Sequence, residues 1–330
     1  MRSWLGIGAR YAFGALLVWW LVHTQVLDFA PLATMSALFI TQAVALGVSV
    51  TALSSWRIQY LLGDQGVRVG YGRCFVVNCV GLFYSLFLPG GISGDAARAW
   101  YFFADGREKR MAVVGALLLD RFLGLITLVG LGIASGFLLA SVVPRIVPWL
   151  VWSSVVLAAM LAGLLVSIRY EIEHRETPGA HRVLRMWEAA RGAFARLRMS
   201  DYSTRTLVLS VVLSALMNVL MIVLIDICSV LNDAHLGLVQ VSAAAPLGLL
   251  TNAVPLSPGG LGVGEKSFDV LYRALGGANG AGSFLATRIF LYCPAVLGGL
   301  AAAWSLLAVR KKPGAAPPPW PGAPGKASED

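Results

Sequence analysis

The chain has 330 residues, of which 57% are hydrophobic and only 13% charged, and its mean hydropathy of +0.73 lies far above that of a soluble domain. Those figures exclude a soluble globular fold and place the chain in a membrane. The formal net charge of +9 does not call for nucleic acid, because lysines and arginines fall between apolar runs, where they orient spans and meet anionic headgroups.

In chain order, Arg2 and Arg10 precede an apolar run from Tyr11 to Val22 with no clear small-residue cleavage site behind it, which reads as an uncleaved anchor. With about twenty apolar residues per crossing, full spans are expected at 11–30, 34–56, 112–140, 147–168, 207–231 and 283–309. Two further apolar segments, 74–94 and 238–264, each end in Pro-Gly-Gly and run straight into charged residues. Positive charge decides how they thread. The loops 57–73, 95–110 and 169–206 are rich in arginine, as is the start of the tail at Arg310, whereas 24–33 and 232–237 have no Lys or Arg.

All the basic loops fall on one side if 74–94 dips into the bilayer and returns. Lys266, Asp269 and Arg273 make a complete crossing after Gly264 expensive, so 238–275 is expected to be a second hairpin, entering from the opposite face. The expected fold is all-α: six full transmembrane helices plus two re-entrant hairpins of opposite orientation, with both termini cytoplasmic. A non-helical turn at membrane depth is tolerated only where protein or a water-filled cavity covers it, so Gly90, Gly91, Gly259 and Gly260 are expected to line a cavity. Residues 1–312 make the membrane domain, and its two halves centre on 74–140 and 238–309. Within 169–206, Val183, Leu184, Trp187, Phe194 and Leu197 interleave with arginines as a surface helix would. Residues 313–330 are a proline-rich tail expected to be disordered.

The halves match in detail. Pro89-Gly90-Gly91-Ile92-Ser93-Gly94-Asp95 corresponds to Pro258-Gly259-Gly260-Leu261-Gly262-Val263-Gly264-Glu265 with one residue inserted. Arg121 follows Pro89 by 32 residues and Arg288 follows Pro258 by 30. Inverted repeats of this kind build transporter sites near the bilayer midplane.

A helix starting after each glycine turn would aim free N–H groups and its positive dipole end at a phosphate. Asp95 and Glu265 have three readings: first-turn caps, partners of Arg98, Lys266 or an arginine in a span, or direct functional groups. Arg121 needs a partner or an aqueous cavity. Asp120 is adjacent but about 100° away around the helix, so that partner is expected from another helix. Arg288 either snorkels to the outer headgroups or pairs with Asp226, the other deep acid. Asn78, Asn218 and Asn252 read as interhelical hydrogen-bonding groups. The four cysteines lie in apolar segments without metal-ligand spacing, and His23, His174, His181 and His235 form no ligand pair. No nucleophile elbow or phosphate-binding loop is present. Neither a metal, a cofactor nor an enzymatic reaction is expected.

The segment 89–98, the Leu-Leu-Asp-Arg of 118–121 and the Ser-Pro-Gly-Gly-Leu-Gly-Val-Gly-Glu of 257–265 resemble, in this order, the lysylphosphatidylglycerol synthase/flippase transmembrane family, also called flippase-like proteins. The resemblance covers nearly the whole chain except the tail. It implies an inner-membrane protein that moves or handles lipid: an anionic phospholipid, a hopanoid or a polyprenyl-linked substrate. The 330 residues leave no room for the soluble aminoacyl-transferase domain of the bifunctional members, so lipid synthesis is not expected to carry over. The resulting expectation is a flippase in which Arg98, Arg121, Arg288 and Lys266 attract a phosphate, while Asp95, Asp120, Asp226 and Glu265 orient those cations or meet an amine. An accessory subunit presenting lipid to an envelope-biosynthesis enzyme is the alternative, and a membrane-embedded transferase using Asp or Glu as base is the third reading.

Overall fold

The computed structural model describes residues 35–87, 93–103, 110–140, 202–252 and 262–310, with 144, 148, 151–152, 154–159 and 162. The expected span 11–30, most of 147–168, the surface helix, the tail and both Pro-Gly-Gly turns lie outside them. The described residues are all-α. In order the helices are α1 (Ala37–Asp64), α2 (Tyr71–Phe87), α3 (Ser93–Phe103) and α4 (Arg110–Leu139), then α5 (Thr204–Leu231), α6 (Leu238–Asn252), α7 (Val263–Ala274), α8 (Gly280–Leu291) and α9 (Ala295–Arg310).

α1, α5 and residues Arg110–Ala134 of α4 are each long and apolar enough to cross a membrane. α1 and α5 are matched elements. Both run for 28 residues, and each is opened by a serine, Ser36 or Ser203, whose hydroxyl accepts a hydrogen bond at 3.2 Å from the backbone N–H three residues on. That bond satisfies one of the donors a helix start leaves free.

One expectation is refined and one corrected. The stretch 283–309 is broken: α8 and α9, together apolar enough for one span, are bent by 43° at the break before Ala295. Pro294 has no N–H to continue the helical ladder, and the chain bridges the gap with shorter turns such as Ala295 N–H to the Tyr292 carbonyl at 2.8 Å. The first described span does not stop at 56 but continues to Asp64. Arg57, assigned above to a cytoplasmic loop, is therefore helical, and only 4% of it is exposed.

The short helices flank the long ones. α3 and α7, with 11 and 12 residues, measure about 16–18 Å at 1.5 Å per residue, well under the ~30 Å hydrocarbon core. α3 packs back on α2, and α7 packs back on α6.

Packing between the halves is reciprocal. α2 lies on α9 while α6 lies on α4, α4 lies on α5 while α8 lies on α1, and α1 lies on α5. Exchanging α1–α4 for α5–α9, with α8 and α9 together standing for α4, interchanges the first four pairings two by two and maps α1–α5 onto itself. Glycines make the two crossed contacts close. A Cβ on Gly298 of α9 would land on the Cys79 carbonyl of α2, and one on Gly132 of α4 would meet the Pro246 ring of α6.

α1 and α5 run antiparallel. Asp64, at the end of α1, accepts hydrogen bonds from the N–H and hydroxyl of Ser203, at the start of α5, at 2.8 and 3.0 Å. At their other ends Ala43 packs with Leu224 and Cys228. The largest core is built from Ile58, Leu61 and Leu62 of α1 with Val77, Phe102 and Leu119, and its counterpart in the second half centres on Phe268, Tyr272 and Phe284.

Candidate functional site

Each half places the first acid of its short helix against the arginine of the helix that follows. In the first half Asp95, in the opening turn of α3, accepts from two N–H groups on one edge of Arg121 on α4: Nε to Oδ2 at 2.7 Å and Nη2 to Oδ1 at 3.0 Å. This fork-on-carboxylate geometry is the strongest form of the pair. Arg98, one turn along α3, reaches the same carboxylate with Nη1 at 3.4 Å. Asp95 thus serves two cations, and Arg121 finds its partner on another helix.

In the second half the carboxylate of Glu265 divides its oxygens. Oε2 accepts from the Gly262 N–H at 2.6 Å, which caps α7, and Oε1 stands 3.0 Å from Arg288 Nε on α8. Gly262 has φ +81°, a left-handed turn that glycine adopts without a Cβ penalty, and that turn aims its N–H at Glu265. The side chains of Arg288 and Glu265 are only 6% and 2% exposed. The Arg288 guanidinium also lies 4.8 Å from the centre of the Phe284 ring, which stacks on Phe268 at 4.2 Å. Burial of this kind is tolerated because charge, ring face and helix cap all meet at one point.

Arg288 therefore turns inward instead of snorkelling, and its acid is Glu265 rather than Asp226. Asp226 is half-buried on α5 and makes no hydrogen bond or ion pair with any described residue.

Asp120 faces away from Arg121 and holds Arg57 of α1, Nε to Oδ1 at 2.6 Å, with both side chains 5% exposed. Ser214 of α5 accepts from Arg57 Nη1. This buried pair escapes a reading of the sequence, although the buried positions Thr51, Ser55, Ile58 and Leu62 mark a helical stripe that runs past it. Nearby, Asn78 of α2 donates to Ser55 Oγ at 2.8 Å, and Asn218 of α5 donates to Thr127 Oγ1 of α4 at 2.9 Å. Both asparagines tie helix to helix.

Lys266 does not join Arg288. It pairs with Asp269 at 3.0 Å, which also takes Arg273 at 2.8 Å, so α7 carries a buried carboxylate between two outward cations one turn away on either side. The four turn glycines, Gly90, Gly91, Gly259 and Gly260, lie outside the described residues. Among the described residues no cluster of His, Cys, Asp and Glu is suited to hold a metal ion.

The chemistry available is anion exchange. A guanidinium that holds a carboxylate side-on presents the same fork to a phosphate, so Arg98 and Arg121 around Asp95, and Arg288 against Glu265, can trade an internal acid for a ligand oxygen. The family described as "Lysylphosphatidylglycerol synthase TM region" matches residues 7–299 of the chain. No curated protein matches it.

Proposed function

Since the chain belongs to the lysylphosphatidylglycerol synthase transmembrane-region family, we propose that it is a flippase carrying a phosphate-bearing or polyisoprenoid lipid between the leaflets of the inner membrane. It is a multi-pass membrane protein of lipid metabolism or transport; lipid translocation is the finer reading. The observation that carries it is the recurrence of one acid–arginine pair, Asp95–Arg121 and Glu265–Arg288, in two halves whose matched helices α1 and α5 run antiparallel. Antiparallel halves present the same site to opposite faces of the bilayer, which is the requirement for alternating access. α3 and α7, too short to cross, serve as the returning arms of two re-entrant hairpins. The headgroup passes between them while the tails stay in the bilayer, and both termini lie in the cytoplasm. In this reading the protein moves its lipid without altering it.

Reconstitution in liposomes tests the proposal. A fluorescent anionic lipid in the inner leaflet becomes accessible to dithionite when purified protein translocates it, and Glu265→Gln together with Arg288→Gln abolishes that signal. Silence of the wild-type protein with anionic phospholipids and with polyprenyl phosphates would remove the flippase reading. The accessory-subunit reading would take its place.

A further inference from the structure

Gly81 and Gly248, each ten residues after the first residue of its helix, α2 or α6, show what each half presses against its first arm. A Cβ on Gly81 of α2 would collide with the Arg98 side chain, and one on Gly248 of α6 would collide with the Phe268 ring. Arg98 and Phe268 each lie three residues after the first-turn acid, Asp95 or Glu265. They are therefore equivalents. In the second half an apolar ring fills the place and stacks on Phe284; in the first half a charged group fills it. Packing between the arms needs no charge there, as Phe268 demonstrates.

The charge on Arg98 is also poorly answered. Its side chain is 10% exposed, and among the described residues its Nε has no hydrogen-bond partner and its one ion pair, to Asp95, is long at 3.4 Å. That carboxylate is already engaged side-on by Arg121. Among the described residues the charged groups acting on it are Asp95, Arg121, Asp120 and Arg57. Counting Arg98, the cluster holds three guanidiniums and two carboxylates, with Asp120 committed to Arg57. Among the described residues one positive charge is left over, at a buried position where an unpaired ion is expensive.

We infer that Arg98 is the group that binds the ligand's anion, a phosphate carrying a single negative charge, and that Asp95 and Arg121 position it. The inference rests on the lipid-transport reading above and adds to it a single cationic contact, in the first half only. The second half offers no equivalent, because Phe268 stands in that place.

The test measures binding by purified protein in maltoside micelles, with three probes: dihexanoylphosphatidylglycerol, inorganic phosphate, and dihexanoylglycerol, which has the tails without the phosphate. The expected result is that Arg98→Gln weakens the phospholipid about tenfold or more, while Arg98→Lys, which keeps the charge and loses the fork, weakens it less. Gly81→Ala keeps every charge but displaces the guanidinium, so it too weakens the phospholipid. Dihexanoylglycerol binding changes in none of them. Inorganic phosphate that depends on Arg98 in the same way identifies a phosphate site indifferent to tails, and phospholipid binding alone identifies a headgroup site; either supports the inference.

Elution profile and unfolding temperature check each variant, and Arg98→Lys with Gly81→Ala decide the matter where Arg98→Gln fails to fold. Wild-type affinity in both Arg98→Gln and Gly81→Ala overturns the inference. If Arg121→Gln or Arg288→Gln loses binding in that case, the transport reading survives with another cation. Failure of the wild-type protein to bind either phosphate probe and to translocate lipid sinks both.

Discussion

The buried pair Arg57–Asp120 allows a quantitative test, because the second half shows what the same place looks like without charge. Arg57 lies 21 residues beyond the capping Ser36, and Leu224 lies 21 beyond Ser203; Asp120 precedes Arg121 as Thr287 precedes Arg288. Leu224 and Thr287 are both fully buried, so the second half carries uncharged residues at both equivalent positions. Asp120→Thr alone leaves a guanidinium 5% exposed with Ser214 as its remaining partner among the described residues, which costs about 3–5 kcal/mol. Arg57→Leu with Asp120→Thr removes both charges and leaves only a smaller side chain in the space, a loss of about 1–2 kcal/mol.

Thermal unfolding in detergent, followed by tryptophan fluorescence, reads the difference. At roughly 2–4 °C per kcal/mol, the single variant unfolds about ten degrees below wild type, and the double variant recovers more than half of that drop. A double variant no more stable than the single one would refute the reasoning. So would a single variant within about two degrees of wild type.

Two further outcomes follow from the packing. Gly132→Ala and Gly298→Ala each push a methyl group into the facing helix at matched crossings, so both lower stability, by about 1–3 kcal/mol each. The same unfolding assay checks this, and a neutral result at both would show that the crossings give way. Arg68→Cys, in the connection between α1 and α2, and Asp233→Cys, in the connection between α5 and α6, are expected to react with an impermeant maleimide from opposite sides of the membrane. Labelling of both from one side would contradict antiparallel halves.

Much of this arrangement was legible from residue types alone. Pro-Gly-Gly followed by an acid, with an arginine about thirty residues on, picked out Asp95, Arg121, Glu265 and Arg288, because proline, paired glycines and ionised groups are all costly inside an apolar run. The 100° offset between neighbours predicted that Arg121 would look past Asp120 to another helix, and it does. What could not be read was partner choice between distant helices. A hydropathy ruler stops at a charge and so puts Arg57 in a loop, whereas its acid lies 63 residues away and becomes visible only once α1 and α4 are packed. Asp226 and Arg288 share an apolar setting, yet the chain folds α7 so that Glu265 arrives first. The bend between α8 and α9 follows from Pro294, a local signal that the length of the apolar stretch concealed.

Neighbours on α4 are anchored in different directions: Asp120 to α1 and Arg121 to α3. A rod pinned at two compass points cannot spin, so α4 cannot rotate about its long axis without unhooking one anchor. If the chain moves lipid as proposed above, a stroke that spares both anchors must carry α1, α3 and α4 as one block against the remaining helices.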